Sequence, residues 1–323
     1  MLMRTVTLEE HFLTSSFLKA AESSLPPNPQ MAAIREKLLD LGAGRIAAMD
    51  AGSVDVQVLS LTSMGIESLA PANATAVMHD VNDELAAAVA AHPARFAGFA
   101  NLALREPEEA AKEFERCIRT HGFRGALVDG LTGGAFLDDP RFTPLFEVAQ
   151  ALDVPIYLHP ALPPKTVQEV YFSGLPGHTG QLLSIAGWGW HVETGLHCLR
   201  LIVSGLFDRF PRLQVIIGHM GENLPYSLAR AAGVLTPACK HLQRPVAEYF
   251  HSNFHVTTSG YFTNPPFLCA LQVLGVDRLL YSIDYPYSDT SKGQAFLNNL
   301  SLSPEDREKF VHRNADKLLR LNS

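Results

Sequence analysis

Short runs of consecutive apolar residues alternate along the whole chain with longer stretches in which apolar positions return every three or four residues. The short runs read as strands: Thr5–Glu9, Val56–Leu61, Phe96–Leu102, Gly125–Val128, Pro155–His159, Leu213–His219, His255–Ser259 and Leu279–Asp284. Several, such as "VPIYLHP" and "LQVIIGHM", are apolar almost throughout, as parallel strands covered on both faces are. The intervening stretches read as helices. "EPEEAAKEFERCIRTHG" has acids in its first turn, an apolar stripe, bases in its last turn and Gly122 as a stop. "NATAVMHDVNDELAAAVAAHP" ends at Pro93, and "LDDPRFTPLFEVAQALDV" supplies a third helix.

Repeated strand–loop–helix units predict a parallel α/β architecture. Eight units in 323 residues predict a single (β/α)8 TIM barrel spanning 1–323. A doubly wound open sheet would carry a glycine-rich turn after its first strand, and "LEEHF" has none. Two stretches exceed a minimal barrel: residues 13–35, with "SSLPPNPQ" as a loop, and residues 160–181, rich in Pro and Gly. Both follow strands, so both are expected over the catalytic face. "SPEDREKFVHRNADKLLRL" reads as one or two amphipathic closing helices.

Composition adds exclusions. The chain is 47% hydrophobic and 18% charged, with a net charge of −7 and no basic run, which argues against a nucleic-acid partner. No stretch approaches the ~18 apolar residues of a membrane span. The opening residues lack a secretory leader's apolar core. The four cysteines form no CxxC pair, so reduced thiols and a cytoplasmic location are expected.

The chemistry lies at the strand ends. The first strand offers Glu9 and His11, the fifth His159, the sixth His219 and the eighth Asp284. A barrel brings all these ends to one mouth. Imidazoles and carboxylates gathered there suit a divalent ion such as zinc or manganese. Residues two apart share a side of a strand, so Glu9 and His11 are expected to face inward together while Glu10 points away. Each residue alone has a simpler reading: Asp284 as a turn residue, and Glu222 in the first turn of a helix begun by "GHM". An apolar mouth lined with unpaired acids and imidazoles would, however, be costly without a cation. His79, His92, His121, His241, His251 and His312 fall on helices and read as surface residues. His178 and His191 fall in or beside the 160–181 loop, within reach of a substrate.

"LEEHF", "YLHP", "ETGLHCLRL", "SGLFDRFPRLQVIIGHMGENLPY" and "YSIDYPY" together resemble the decarboxylase branch of the amidohydrolase superfamily, nearest to the γ-resorcylate and 2,3-dihydroxybenzoate decarboxylases. The resemblance runs from Leu8 to about Tyr287. It implies one divalent metal (manganese or zinc, with magnesium as a third choice) held by Glu9, His11, His159 and Asp284. It further implies His219 and Glu222 as an acid/base pair, Asp284 as proton donor, and Arg230 near the substrate. Phe12 and Tyr287 are expected to wall the pocket. The implied reaction is reversible, non-oxidative decarboxylation of an ortho-hydroxybenzoate, by a homodimer or homotetramer. A hydrolase of the same superfamily, opening a lactone or amide, is the alternative. Tyr287-Ser288 stands where the branch commonly has Phe-Glu, and Tyr261 follows "TTSG" where it often has Asn. Both departures fall on the substrate side.

Overall fold

The computed structural model describes residues 3–21, 31–63 and 65–321. The strands are β1 (Val6–Phe12), β2 (Val56–Leu61), β3 (Phe96–Gly98), β4 (Ala100–Asn101), β5 (Ala126–Asp129), β6 (Ile156–His159), β7 (Val215–Ile217), β8 (Phe254–Thr257) and β9 (Leu279–Leu280). All pairs are parallel and run in chain order, β1-β2-β3 and then β4 to β9. A parallel bridge between Leu8 and Ser282 joins the last stave to the first. This is the (β/α)8 barrel, with the expected extra segments after the first and fifth staves.

Two apolar layers hold it. Val6, Leu8, Val58, Ala97, Phe99, Leu127, Ile216 and Leu280 fill the barrel, and Ala315 and Leu319 of the last helix close its floor. The larger layer lies between staves and helices. The helices carry the expected signals. Pro107–His121 has Glu108 and Glu109 in its first turn, Arg119 and His121 in its last, and Gly122 beyond it at φ 70°. Pro71–Ala91 begins with proline at its first turn, where no donor is lost.

The third stave departs from the sequence reading. Phe96–Leu102 is not one strand but β3 and β4 separated by Phe99, whose side chain is fully buried in the barrel. The first half pairs with β2 and the second with β5. The kink moves the stave from one neighbour to the other. Gly98 is required there, because an added Cβ would lie 2.9 Å from the Phe123 ring.

The last strand is also shorter than expected, at two residues, and His219 opens a helical turn rather than ending β7. Residues 160–181 are not simple loop: they contain helical turns and the helix Thr179–Ser184. "SSLPPNPQ" lies outside the described residues. Among the described residues no helix is long and apolar enough to cross a membrane.

Candidate active site

Glu9 sits inside β1, not at its end. The register against β2 shifts by one residue between Thr7 and Glu10, so β1 carries a bulge. Glu9 itself has a positive φ of 60°. Glu9 and His11 do face the mouth together, but the bulge sets this rather than regular alternation. Glu10 points away: its buried carboxylate accepts from the backbone N–H of Ile283 (2.8 Å) and Tyr285 (3.1 Å). Burial pushes its pKa up to about 8, against the pull of those two N–H groups. Glu10 thus fixes the segment that carries Asp284.

Left-handed backbone recurs around the mouth, at His219 (φ 49°), Ser259 (39°) and Asp284 (69°). Each non-glycine residue there costs about 1–3 kcal/mol. Such strain persists where the surroundings over-determine it, as at a site.

The side chains converge. Glu9, His11 and His159 each place a ligand atom within 4.8 Å of the others. Glu9 is completely buried. Its Oε2 accepts from Tyr157 Oη and Ser259 Oγ. Its Oε1 has no hydrogen-bond partner and faces His159 Nε2 at 3.2 Å and His219 Nε2 at 3.6 Å. His159 Nδ1 meets only acceptors, Asp129 Oδ1 (3.1 Å) and Pro160 O (2.8 Å), so it carries the proton. His219 Nδ1 likewise donates to Glu222 Oε1 at 2.7 Å. His11 Nε2 lies 3.3 Å from Asp284 Oδ1, and its Nδ1 has no partner.

If both imidazoles are neutral, two lone pairs therefore face one buried carboxylate oxygen. That arrangement repels itself unless a positive charge lies between. Burial alone would raise Glu9, but His219, His159 and His11 hold it well below the carboxylate range. Burial opposes charging of His219, yet Glu222 and Glu9 outweigh it and raise the imidazole to about 9. Without a metal the cluster recruits protons. The nitrogen and oxygen donor set fits a divalent ion equally well.

Asp284 is the most open of the group, with 18% of its side chain exposed against none for Glu9. Glu222 lies behind His219 and gives its second oxygen to His191 Nδ1 at 2.6 Å. His191, held only loosely by sequence reasoning, is thus a member of the cluster. His178 is exposed and is not. Three aromatic rings stand around the imidazoles: Tyr287 5.7 Å from His11, Trp190 6.5 Å from His159, and Tyr261 5.9 Å from His219. Tyr287 is anchored by a 2.5 Å bond to Thr62.

Two expected wall residues fall elsewhere. Phe12 is fully buried with Leu13, Phe17, Leu59 and Leu61 between staves and helices, because it projects to the opposite side of β1 from His11. Arg230 is exposed on the helix Leu224–Ala238 and makes no bond or ion pair with the cluster. Sequence reasoning missed Tyr157, Ser259 and Asp129, the groups that orient Glu9 and His159. Asp129 ends β5 and Ser259 follows β8, which pointed to them, whereas Tyr157 lies within β6 and carried no such signal.

The amidohydrolase family model matches residues 32–321. The chain belongs to the amidohydrolase family. This amidohydrolase is 38% identical to a γ-resorcylate decarboxylase of Polaromonas sp. (strain JS666 / ATCC BAA-500), over 98% of each chain. Among solved structures it resembles a dihydroxybenzoic acid decarboxylase from Polaromonas sp. JS666 with bound manganese and the inhibitor 2-nitroresorcinol. The TM-score is 0.90 at 36% identity, covering 100% of this chain and 98% of that one. A 2,6-dihydroxybenzoate decarboxylase complexed with 2,6-dihydroxybenzoate matches with TM-score 0.90 at 34% identity, over the whole of both chains.

Proposed function

We propose that this amidohydrolase is a divalent-metal-dependent carboxy-lyase that removes CO2, without oxidation, from an ortho-hydroxybenzoate of the γ-resorcylate type. The observation that carries the reading is the buried Glu9 oxygen facing two imidazole nitrogens, in a chain similar over 98% of its length to a named decarboxylase. Glu9, His11, His159 and Asp284 would hold the ion. We assign manganese, after the ion in the Polaromonas structure, with zinc or magnesium as substitutes.

Direct loss of CO2 from an arene would leave an aryl anion. The lower path protonates the ring carbon first, which an ortho oxygen allows by pushing its electrons into the ring. The bound ion supplies Lewis-acid attraction for the substrate's carboxylate and ortho oxygen. His219 takes the ortho hydroxyl proton at Nε2, and Glu222 steadies the resulting imidazolium through Nδ1. Asp284, the most open carboxyl of the cluster, gives a proton to the carboxyl-bearing carbon. The bond to the carboxyl carbon then breaks. Its electron pair returns to the ring, CO2 leaves and aromaticity is restored, after which His219 returns its proton to the phenolate oxygen and Asp284 regains one from water. Tyr287, Trp190 and Tyr261 flank the ring and exclude water.

The helix Gly189–Val203 leaves an apolar stripe of Val192 and Leu196 exposed, with Trp188 at its N-cap. Val170 and Tyr171 are more exposed still. This surface supports a homodimer or homotetramer of single-domain chains, and the reduced buried thiols support a cytoplasmic setting.

The test is a decarboxylation screen. Protein loaded with manganese, zinc or magnesium is incubated with ortho-hydroxybenzoates bearing different second substituents, and phenols are followed by chromatography. Phenol from a resorcylate is the expected result. Product with no hydroxybenzoate, combined with turnover of a lactone or amide, would replace this reading with a hydrolase. Asp284→Asn should abolish turnover. Near-normal turnover with bound metal would remove Asp284 as the proton donor.

A further inference from the structure

At the end of the barrel away from the mouth, the chain leaves a cleft of about 660 Å³. The segments that lead into β6, β7 and β9 form its walls, with the C-terminal helices. Arg212, Arg278, Lys309, Arg313, Lys317 and Arg320 line it, against two acids, Asp153 and Asp277. This concentration of positive charge belongs to a chain whose net charge is −7.

Part of that charge is already matched. Lys309 pairs with Asp277 at 3.0 Å, Arg313 with Glu308 at 2.5 Å, and Arg320 with Asp153. The rest is not. The Arg212 side chain donates only to the Gln150 carbonyl (3.1 Å). Arg278 donates to Gln214 Oε1 (2.8 Å) and to His255 Nε2 (3.0 Å), with no carboxylate of the described residues within ion-pair distance. Lys317 has no ion pair among the described residues. Arg278 is only partly exposed, and burial lowers its pKa against the opposing pull of Asp277.

His255 forms part of the cleft and is only 8% exposed. A guanidinium can only donate, so His255 Nε2 accepts and the ring proton sits on Nδ1. That N–H has no partner. Burial, helped by Arg278 and Lys317, pushes the imidazole down to about 3 and keeps it neutral. The cleft thus holds three cations without a paired carboxylate among the described residues, beside an imidazole whose Nε2 is committed to Arg278.

We infer that this cleft binds a small organic molecule carrying two or more phosphoryl groups, at a site separate from the metal cluster. The forked guanidinium groups of Arg212 and Arg278 suit phosphoryl oxygens, Lys317 adds a point charge, and the volume exceeds that needed for a single inorganic ion. Aromatic stacking has no place in it, since no aromatic ring apart from the His255 imidazole lines the walls.

Calorimetric titration of the metal-loaded protein with fructose 1,6-bisphosphate, against fructose at matched ionic strength, tests this. Expected is saturable binding at one site per chain, with Kd below about 1 mM for the bisphosphate and none for fructose. Lys317→Glu and Arg212→Glu should each weaken it by at least about tenfold while leaving turnover of the hydroxybenzoate intact. Intact turnover also certifies that each variant is folded, and Lys317→Ala replaces the charge reversal if it is not. No saturable heat, or the same affinity in both variants as in the parent, overturns the assignment.

Discussion

His191 Nδ1 and Glu222 Oε2 lie 2.6 Å apart, on the carboxylate oxygen opposite the one that holds His219. Glu222 therefore sits between two imidazoles. Burial would raise its pKa, but His219 and then His191 more than offset this and keep it below the usual value. Replacing His191 with Ala removes one donor to the anion, so the carboxyl titrates at higher pH. The acid limb of the kcat/KM profile should move upward, with kcat reduced about 10- to 100-fold. A lower rate with an unmoved profile would make His191 a packing residue only.

Tyr157 acts on Glu9 from the other side. Its hydroxyl donates to Oε2 and also meets Thr257 Oγ1 at 2.8 Å. Tyr157→Phe keeps the ring against Phe99 and deletes only the donor. Metal affinity should fall about 10- to 100-fold, as for other groups that orient a ligand. Equilibrium dialysis against manganese, with metal analysis of the protein, measures it.

Chelation should abolish CO2 release, and added manganese should restore it. The same treatment should lower Tm, because an ion bound only by the folded chain stabilises it, by about 4 kcal/mol at a thousandfold excess over Kd. Thermal unfolding with and without chelator checks this. An unchanged Tm would mean that the cluster holds no ion.

Two histidines outside that cluster set a limit at acid pH. Burial drives both His197 and His255 down to about 3. His197 must stay neutral because its Nε2 accepts from the Leu137 N–H at 2.8 Å. Both folded values lie below the unfolded one, so the unfolded chain takes up protons first. Stability is full above pH 6.5 and declines as pH falls toward 3, by up to about 1.4 kcal/mol per pH unit for each group. His197→Gln, which keeps an acceptor without the titration, should flatten the acid limb of denaturation midpoints.

The barrel and most of its mouth were legible from the sequence, because continuous apolar runs mark buried parallel strands and polar residues at their ends stand out. Glu9, His11, His159, His219, Glu222 and Asp284 all fall in one cluster or beside it. The kink at Phe99 was not legible, since Phe96–Leu102 reads as one mainly apolar run interrupted only by Gly98 and Asn101, and only the change of pairing partner reveals the break. Phe12 was misplaced because a residue next to a ligand in a strand faces away from it. Arg230 is exposed on its helix and has no hydrogen bond or ion pair with the cluster among the described residues. Tyr157 and Ser259 escaped notice because hydroxyls in an apolar strand look like ordinary core and turn residues.

The bulge in β1 leaves the barrel's chemistry to a matter of parity. Two identical acids, Glu9 and Glu10, stand side by side, and one extra residue decides which enters the mouth and which clamps the neighbouring backbone. Were the same residues to pair with β2 in unbroken register from Val6 onward, Glu9 would stand opposite Leu59, where Glu10 stands now, and Glu10 would take the mouth-facing place of His11, so the two carboxylates would exchange sides. The bulge, and not the identity of either side chain, decides which of two neighbouring glutamates serves the mouth.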